Sequence, residues 1–258
     1  MQRPSSDWLG LSGARVLVAG AGGIGAACAE GFAGQGAQLL VVDRDAERLG
    51  LVAKEIGDAH PEAVVETLAI DLTDPGAGAT AVERALDLMG GLDVLIHAIG
   101  VNDRRPVLDF TVEEWEKVLR VNLGSAFGLA QAAGRHMVAA RHGRVVMLSS
   151  VSGLLAHAKH GPYATSKGGL NQMVRVMARE WAASDVTVNA VAPGYVETNL
   201  TAAYLSGPGI REGLTELVPA GRLGTAAEVV GPVLFLASSQ AAFVNGQILY
   251  IDGGRTLV

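Results

Sequence analysis

Seven short runs of aliphatic and β-branched residues recur along the chain: Arg15–Ala19, Gln38–Val42, Val64–Ile70, Leu92–His97, Arg144–Leu148, Val186–Val191 and Gln247–Ile251. Each has the length and composition of a buried strand. Between them the apolar residues change to helical spacing. Leu170, Met173, Val174, Met177 and Trp181, for example, mark one face of a long helix that opens near Tyr163. Helix starts are also written in the polar residues. Asp74-Pro75 predicts an N-cap with proline at the first helical position. Thr111-x-x-Glu114 and Thr225-x-x-Glu228 predict capping boxes. Strands alternating with helices imply a doubly wound, mainly parallel α/β sheet with helices on both faces. No repeat, linker or low-complexity segment interrupts the alternation, so residues 1–258 read as a single domain.

Composition narrows the picture. At 49% hydrophobic and only 5% aromatic, the core must be filled by aliphatic side chains. A net charge of −6 without any Lys/Arg run argues against a nucleic-acid partner. The lone Cys28 lies in an apolar helical pattern and reads as a buried structural thiol. Residues Met1 to Gly10 hold no apolar signal core, and no apolar stretch is long enough to span a membrane. The expectation is a soluble cytoplasmic protein with no membrane partner.

Two stretches carry chemistry. The first is Gly20-x-Gly22-x-x-Gly25, between an apolar strand and a helix whose Ile24, Ala27, Cys28 and Phe32 share a face. Glycines there let the backbone approach a pyrophosphate, whose charge a helix N-terminus favours. In a chain with 34 Gly the spacing alone is weak, and a plain tight turn is the alternative. Asp43 ends the next strand, where its carboxylate suits a ribose and repels a 2′-phosphate. NAD is therefore expected over NADP, although Arg44 beside it can pair with that phosphate. Asp71 can meet an adenine edge or merely cap a turn.

The second stretch is Tyr163-x-x-x-Lys167, two residues that are neighbours on the inward face of one helix. An ammonium beside a phenol favours the phenolate and pulls its pKa down from roughly 10, towards that of a general base. Otherwise both side chains merely snorkel from an amphipathic helix.

Taken in order, several stretches resemble the short-chain dehydrogenase/reductase superfamily over nearly the full chain. They are the glycine turn with Gly23-Ile24-Gly25, Asp71-Leu72, Val121-Asn122-Leu123, Ser149-Ser150, Tyr163-x-x-x-Lys167, Ala192-Pro193-Gly194 with Thr198, Asn245-Gly246-Gln247 and Asp252-Gly253-Gly254. The resemblance implies a seven-stranded Rossmann-like sheet, with a nucleotide-binding half over about 14–150 and an active-site part over about 150–258. It also implies a nicotinamide cofactor and a tetrad on Asn122, Ser150, Tyr163 and Lys167. Tyr163 would exchange the proton, Ser150 would hydrogen-bond the reacting oxygen, and Lys167 would hold the nicotinamide ribose. Asn122 would hold a water linking Lys167 to solvent. Pro193, Val196 and Thr198 match the segment that meets the carboxamide, and helix-mediated dimers or tetramers are implied.

Two departures stand out. The turn is one residue shorter than Thr-Gly-x-x-x-Gly-Ile-Gly, with Ala19 in the threonine's place. The usual Asn-Asn-Ala-Gly reads His97-Ala98-Ile99-Gly100, which leaves backbone contacts to the cofactor from His97, Ala98 and Gly100. His97 is either an additional titratable group or a core histidine satisfied by hydrogen bonds.

Substrate selection is expected in the irregular stretch Tyr195–Gly221, broken by Gly207-Pro208-Gly209, and in two further loops. These place Arg104, Arg105, Ser152, His157 and Tyr195 as substrate contacts, a set that suits a small hydroxylated or carboxylated molecule. Several of these stretches look like the gluconate and 2-deoxygluconate dehydrogenase branch, so a sugar acid or polyol is expected. The alternatives are an NADPH-dependent 3-oxoacyl-carrier-protein reductase or a non-catalytic nucleotide sensor or scaffold. No metal site is expected. A homo-oligomer is, because Gly168 and Gly169 within a helix suggest that something packs closely there.

Overall fold

The computed structural model describes residues 7–258. Its main sheet is built from β1 (Arg15–Ala19), β2 (Gln38–Asp43), β3 (Val64–Ala69), β4 (Val94–His97), β5 (Gly143–Leu148), β6 (Val186–Pro193) and β9 (Ile248–Ile251). All pairings are parallel, in the order β3-β2-β1-β4-β5-β6-β9. The seven predicted runs become these seven strands, with ends displaced by one or two residues. Two short strands absent from the sequence reading, β7 (Val196–Glu197) and β8 (Gly224–Thr225), pair with each other above the sheet.

Strand alternation explains the two-sided core. Val16 and Val18 of β1 point into one apolar cluster with Cys28 and Phe32 of α1 (Gly23–Gly34), the helix α2 (Ala46–Ala59) and α9 (Ala226–Ala237). Leu17 and Ala19 point the other way, towards α3 (Ala77–Met89), α5 (Ser125–Ala140) and α6 (Gly161–Trp181). Phe32, Leu17 and Ile96 are fully buried, each contributing about 1.5–3 kcal/mol by removal from water. Burial pushes the Cys28 thiol up to about 12, in keeping with a structural role.

Both predicted capping boxes form, Thr111 at the start of α4 (Val112–Leu119) and Thr225 at the start of α9. The Asp74-Pro75 start does not. There α3 begins at Ala77 behind Gly76 in a left-handed conformation, because Asp71 to Gly76 are used in turns that bring the chain back over the sheet. The glycines of α6 also read differently in three dimensions. A Cβ on Gly169 would come within 3.1 Å of the Leu123 side chain, and one on Gly168 within 3.8 Å of the Gly153 carbonyl. Close packing inside one subunit therefore accounts for Gly169, which removes the sequence argument for a second subunit at that place.

Strand order reverses between β1 and β4, and a doubly wound sheet opens a crevice beyond the carboxyl ends of its strands at such a point. The loops after β1, β4, β5 and β6 converge there. Helices α7 (Asn199–Leu205) and α8 (Ile210–Glu216), separated at Gly207-Pro208-Gly209, form its roof. Among the described residues no helix is long and apolar enough to cross a membrane.

Candidate active site

The crevice is a cleft of about 780 Å³. At one end Gly20, Gly22, Gly23 and Ile24 line it, where β1 turns into α1. Gly20 adopts φ 108°, and a Cβ on Gly25 would collide with the Gly20 carbonyl oxygen, so the shortened turn needs glycine at both positions. The N-cap Gly22 offers no side-chain cap, and the first turn of α1 holds no acidic residue. The Gly25 N–H is taken by the Gly22 carbonyl (2.8 Å), which leaves the N–H groups of Gly23 and Ile24 and the positive end of the dipole for an anion, as a dinucleotide pyrophosphate would need.

Beyond β2, Asp43, Arg44 and Asp71 line the same end, with Leu72 beside them. The Asp43 carboxylate accepts from the N–H of Ala21 (2.8 Å) and of Asp45 (3.0 Å), so part of its accepting capacity holds the glycine turn. Asp71 accepts from the Thr73 hydroxyl and backbone, bonds that hold it below the usual carboxylate range. It has the turn-capping geometry and also faces the cleft, with Arg44 4.0 Å away. The sequence reading missed Arg48 of α2, whose guanidinium would lie 2.9 Å from a Cβ on Gly22. In an amphipathic helix it reads only as a solvated charge.

In the middle of the cleft are Ser150, Tyr163 and Lys167. Pro162 at the first turn of α6 starts that helix, and its i, i+4 spacing sets the phenol and the ammonium side by side, Nζ 5.8 Å from the ring centre. Lys167 is 3% exposed, donates from Nζ to the Leu148 carbonyl (2.6 Å), and is pulled down to about 8 by burial. Burial also raises the Tyr163 phenol above its ordinary range. A hydrogen bond from Ser150 and the nearby charge of Arg104 oppose that rise. The groups that oppose the rise are thus Ser150 and Arg104, while the Lys167 ammonium stands beside the ring as the i, i+4 spacing predicts.

Asn122 lies in a π-helical turn, Arg120–Gly124, between α4 and α5 and is fully buried. Its Nδ2 donates to the Val101 carbonyl (2.9 Å) and to Ser166 Oγ (3.0 Å), and its Oδ1 accepts from the Val101 N–H (2.7 Å). Both amide hydrogens are committed, so the side chain ties the loop after β4 to α6. That pairing is tertiary and leaves no sequence signal.

Ala98 and Gly100 line the cleft, whereas His97 turns its side chain into the core. His97 Nε2 lies 2.9 Å from Ser125 Oγ, Nδ1 has no partner, and burial pulls the ring down to about 3, so it is neutral. Of the two readings open for it, the structure takes the core histidine, half satisfied, and gives it no side-chain contact with the cleft.

The far end holds Ser152, His157, Tyr195 and Arg104; Pro193 and Val196 also line the cleft, and Thr198 packs against the glycine turn, its Cβ 3.0 Å from where a Cβ on Gly23 would stand. The two adjacent arginines part company here. Arg105 is outside the cleft, bound to Asp103 (2.7 Å) and Glu114 (2.9 Å) and stacked on Phe110, so its charge is already answered. Arg104 donates from Nε to His160 Nε2 (3.2 Å) and lies 4.0 Å from the centre of the Tyr204 ring, with no acidic partner among the described residues. Tyr204, on α7, was also missed, since nothing in the sequence pairs a lid helix with the loop after β4.

A glycine cradle, a buried phenol–ammonium pair and a serine at the carboxyl ends of a parallel sheet together define a dinucleotide-dependent oxidoreductase site. The family model described as Enoyl-(Acyl carrier protein) reductase matches residues 18–256, and the chain belongs to the short-chain dehydrogenase/reductases. Within them it is 36% identical to the gluconate 5-dehydrogenase of Gluconobacter oxydans (strain 621H) over 255 residues, 97% of this chain and 98% of that one. To the galactitol 2-dehydrogenase (L-tagatose-forming) of Cereibacter sphaeroides it is 37% identical over 250 residues, 96% of each. The crystal structure of a gluconate 5-dehydrogenase from Burkholderia cenocepacia J2315, in complex with NADP and tartrate, superposes with a TM-score of 0.91. The two are 34% identical, and the match covers 98% of both chains.

Proposed function

We propose that the chain interconverts a secondary alcohol and its ketone in a small sugar acid, with a nicotinamide dinucleotide as the redox partner. The observation that carries the sugar acid is Arg104, a guanidinium facing the cleft without an acidic partner, next to an Arg105 that has two. A partly buried guanidinium without an anionic partner favours one, and a bidentate carboxylate is the natural choice. The gluconate-acting relatives lend the same support.

When bound, the dinucleotide supplies the hydride acceptor or donor. This chain's residues do the rest. The first turn of α1 takes the pyrophosphate, Ser150 donates a hydrogen bond to the reacting oxygen, and Tyr163 removes or returns its proton. Lys167 keeps a positive charge beside that phenol, and Asn122 braces the loop and helix that hold them in register.

NAD is the preferred cofactor in this proposal, on the Asp43 carboxylate at the ribose end. NADP is the second reading, favoured by Arg44 and Arg48 at the same end and by the NADP named for the Burkholderia structure. A homo-oligomer belongs to the proposal as well. With Gly169 accounted for, its support is the exposed apolar side chains of α4 and α5, Val112 and Phe127. The cytoplasmic placement rests on the single reduced-type cysteine. A reductase for acyl chains on an acidic carrier is less favoured, since Arg104, two histidines and a serine stand among the apolar side chains that line this cleft.

The test is Arg104→Ala assayed on D-gluconate and on galactitol. The KM for the acid is expected to rise by an amount comparable to ~2–5 kcal/mol for a truncated charge pair, with a much smaller change for the polyol. Parallel losses on both substrates would make Arg104 a loop-shaping residue and remove the acid from the proposal.

A further inference from the structure

Four side chains run in a line from the last turn of the described chain into the far end of the cleft. Arg255 Nε lies 3.5 Å from the Tyr195 hydroxyl, that hydroxyl 3.3 Å from His157 Nε2, and His157 Nδ1 2.9 Å from Ser152 Oγ. Tyr195, His157 and Ser152 line the cleft, and Arg255 stands behind them, its Nη1 donating to the Val258 carbonyl (3.0 Å).

The line has a direction because its first member can only donate. A guanidinium carries no acceptor, so its N–H takes one of the two lone pairs of the Tyr195 oxygen, and among the described residues the one acceptor beside the phenolic hydrogen is the His157 ring. That hydrogen points to His157 Nε2, which must then be the unprotonated nitrogen. Burial, with His160 and Arg255 nearby, pulls His157 below the ordinary imidazole range, so the ring is neutral and has a single N–H to place. With Nε2 accepting, the proton sits on Nδ1 and donates to Ser152 Oγ. The Ser152 backbone N–H is meanwhile taken by Ser150 Oγ (3.1 Å). What remains is the Ser152 hydroxyl hydrogen, free to point into the cleft.

We propose that Arg255 is a positioning residue that fixes the polarity of this chain, so that Ser152 presents a hydrogen-bond donor to the substrate and selects an acceptor-only group such as a carboxylate. Arg104 would meet the same anion from the side of Tyr204. His160, which accepts from Arg104 at Nε2 and reaches the Ala158 carbonyl from Nδ1 (3.0 Å), is oriented by an arginine in the same sense. The carboxylate part of this inference rests on the sugar-acid reading above. The polarity of the chain does not.

The experiment therefore has two arms. The first is nitrogen NMR of the full chain labelled with ¹⁵N-histidine, with the His157 signals identified by their loss in His157→Gln. Wild type and Arg255→Lys, both donor-only, should show the Nδ1–H form. Arg255→Glu turns the head of the chain into an acceptor, claims the Tyr195 hydrogen and should reverse the ring to Nε2–H. An Nε2–H ring in the wild type, or the same tautomer in all three proteins, overturns the proposal without reference to any substrate.

The second arm is a double-mutant cycle on D-gluconate. Ser152→Ala should raise KM roughly ten- to a hundredfold, the worth of one hydrogen bond to a charged group. Arg255→Glu should raise it about tenfold in the wild-type background and less than about twofold once Ser152 is already Ala. Equal rises in both backgrounds would mean that Arg255 acts through its charge or through the local fold, and would overturn the positioning role. If the wild type leaves gluconate unturned, the sugar-acid reading fails alone and the tautomers still decide the polarity.

Discussion

Lys167 is the most expensive residue in the site, and its cost should be measurable in stability without any assay of turnover. An ordinary lysine titrates near 10.4, whereas burial brings Lys167 to about 8 in the folded chain. The difference of about 2.4 units, at 1.36 kcal/mol each, corresponds to ~3 kcal/mol. The sign follows from proton counting. Between about pH 8 and 10.4 the unfolded lysine is protonated and the folded one is losing its proton, so stability rises with pH across that window. Below pH 8 both states carry the charge, and the folded protein bears the full penalty.

Lys167→Met keeps a long unbranched side chain and removes the titration. It also strips the Leu148 carbonyl of its donor, but that loss is the same at every pH and cancels in a pH difference. Tyr163 is present in both proteins and draws little of its shift from Lys167. His97, which Lys167 pushes down, titrates far below the window. Urea unfolding of both proteins at pH 7 and pH 10.5, at one fixed protomer concentration, gives the comparison. The stability of wild type relative to the variant should improve by about 3 kcal/mol between the two pH values. A difference unchanged within ~0.5 kcal/mol would falsify the burial argument, because it would mean that Lys167 titrates as a solvated lysine.

The remaining expectations concern the chemistry and the assembly. Tyr163→Phe retains the ring and removes the proton carrier, so kcat should fall ~10²–10⁴-fold while dinucleotide binding, followed by fluorescence titration, barely changes. Retention of most activity would point to another base. Asp43 should make kcat/KM higher with NAD than with NADP on the same substrate, and a preference for NADP would assign the ribose end to Arg44 and Arg48. Light scattering at micromolar concentration should report an oligomer, and a monomer would leave Phe127 and Val112 as ordinary surface residues.

Local rules were enough for much of this protein. The identity of the central strands follows from runs of Val, Leu and Ile, because a strand buried on both faces needs apolar side chains at nearly every position. The glycine turn and the two capping boxes are contiguous in sequence, so the spacing that defines them is already their geometry. Tyr163 and Lys167 share a face because a helix brings i and i+4 together wherever it lies. Asp74-Pro75 shows where local rules fail: the same dipeptide serves a turn when tertiary packing delays the helix by two residues.

Everything that depends on distant segments was decided by the fold. Ser150 and Arg104, from two other loops, oppose the rise of the Tyr163 phenol, and burial lowers the lysine and raises the phenol together. Arg104 and Arg105 are alike in the chain. Only the positions of Asp103, Glu114 and the lid tyrosine Tyr204 separate a neutralised arginine from one that faces the cleft. Asn122 spends its amide on Val101 and Ser166, and Arg255 reaches Tyr195 from 60 residues away. Hydrogen bonds of this kind have no period and no motif. They exist because a parallel sheet delivers the ends of separate strands to one crevice, where each polar group takes whatever partner the other loops present.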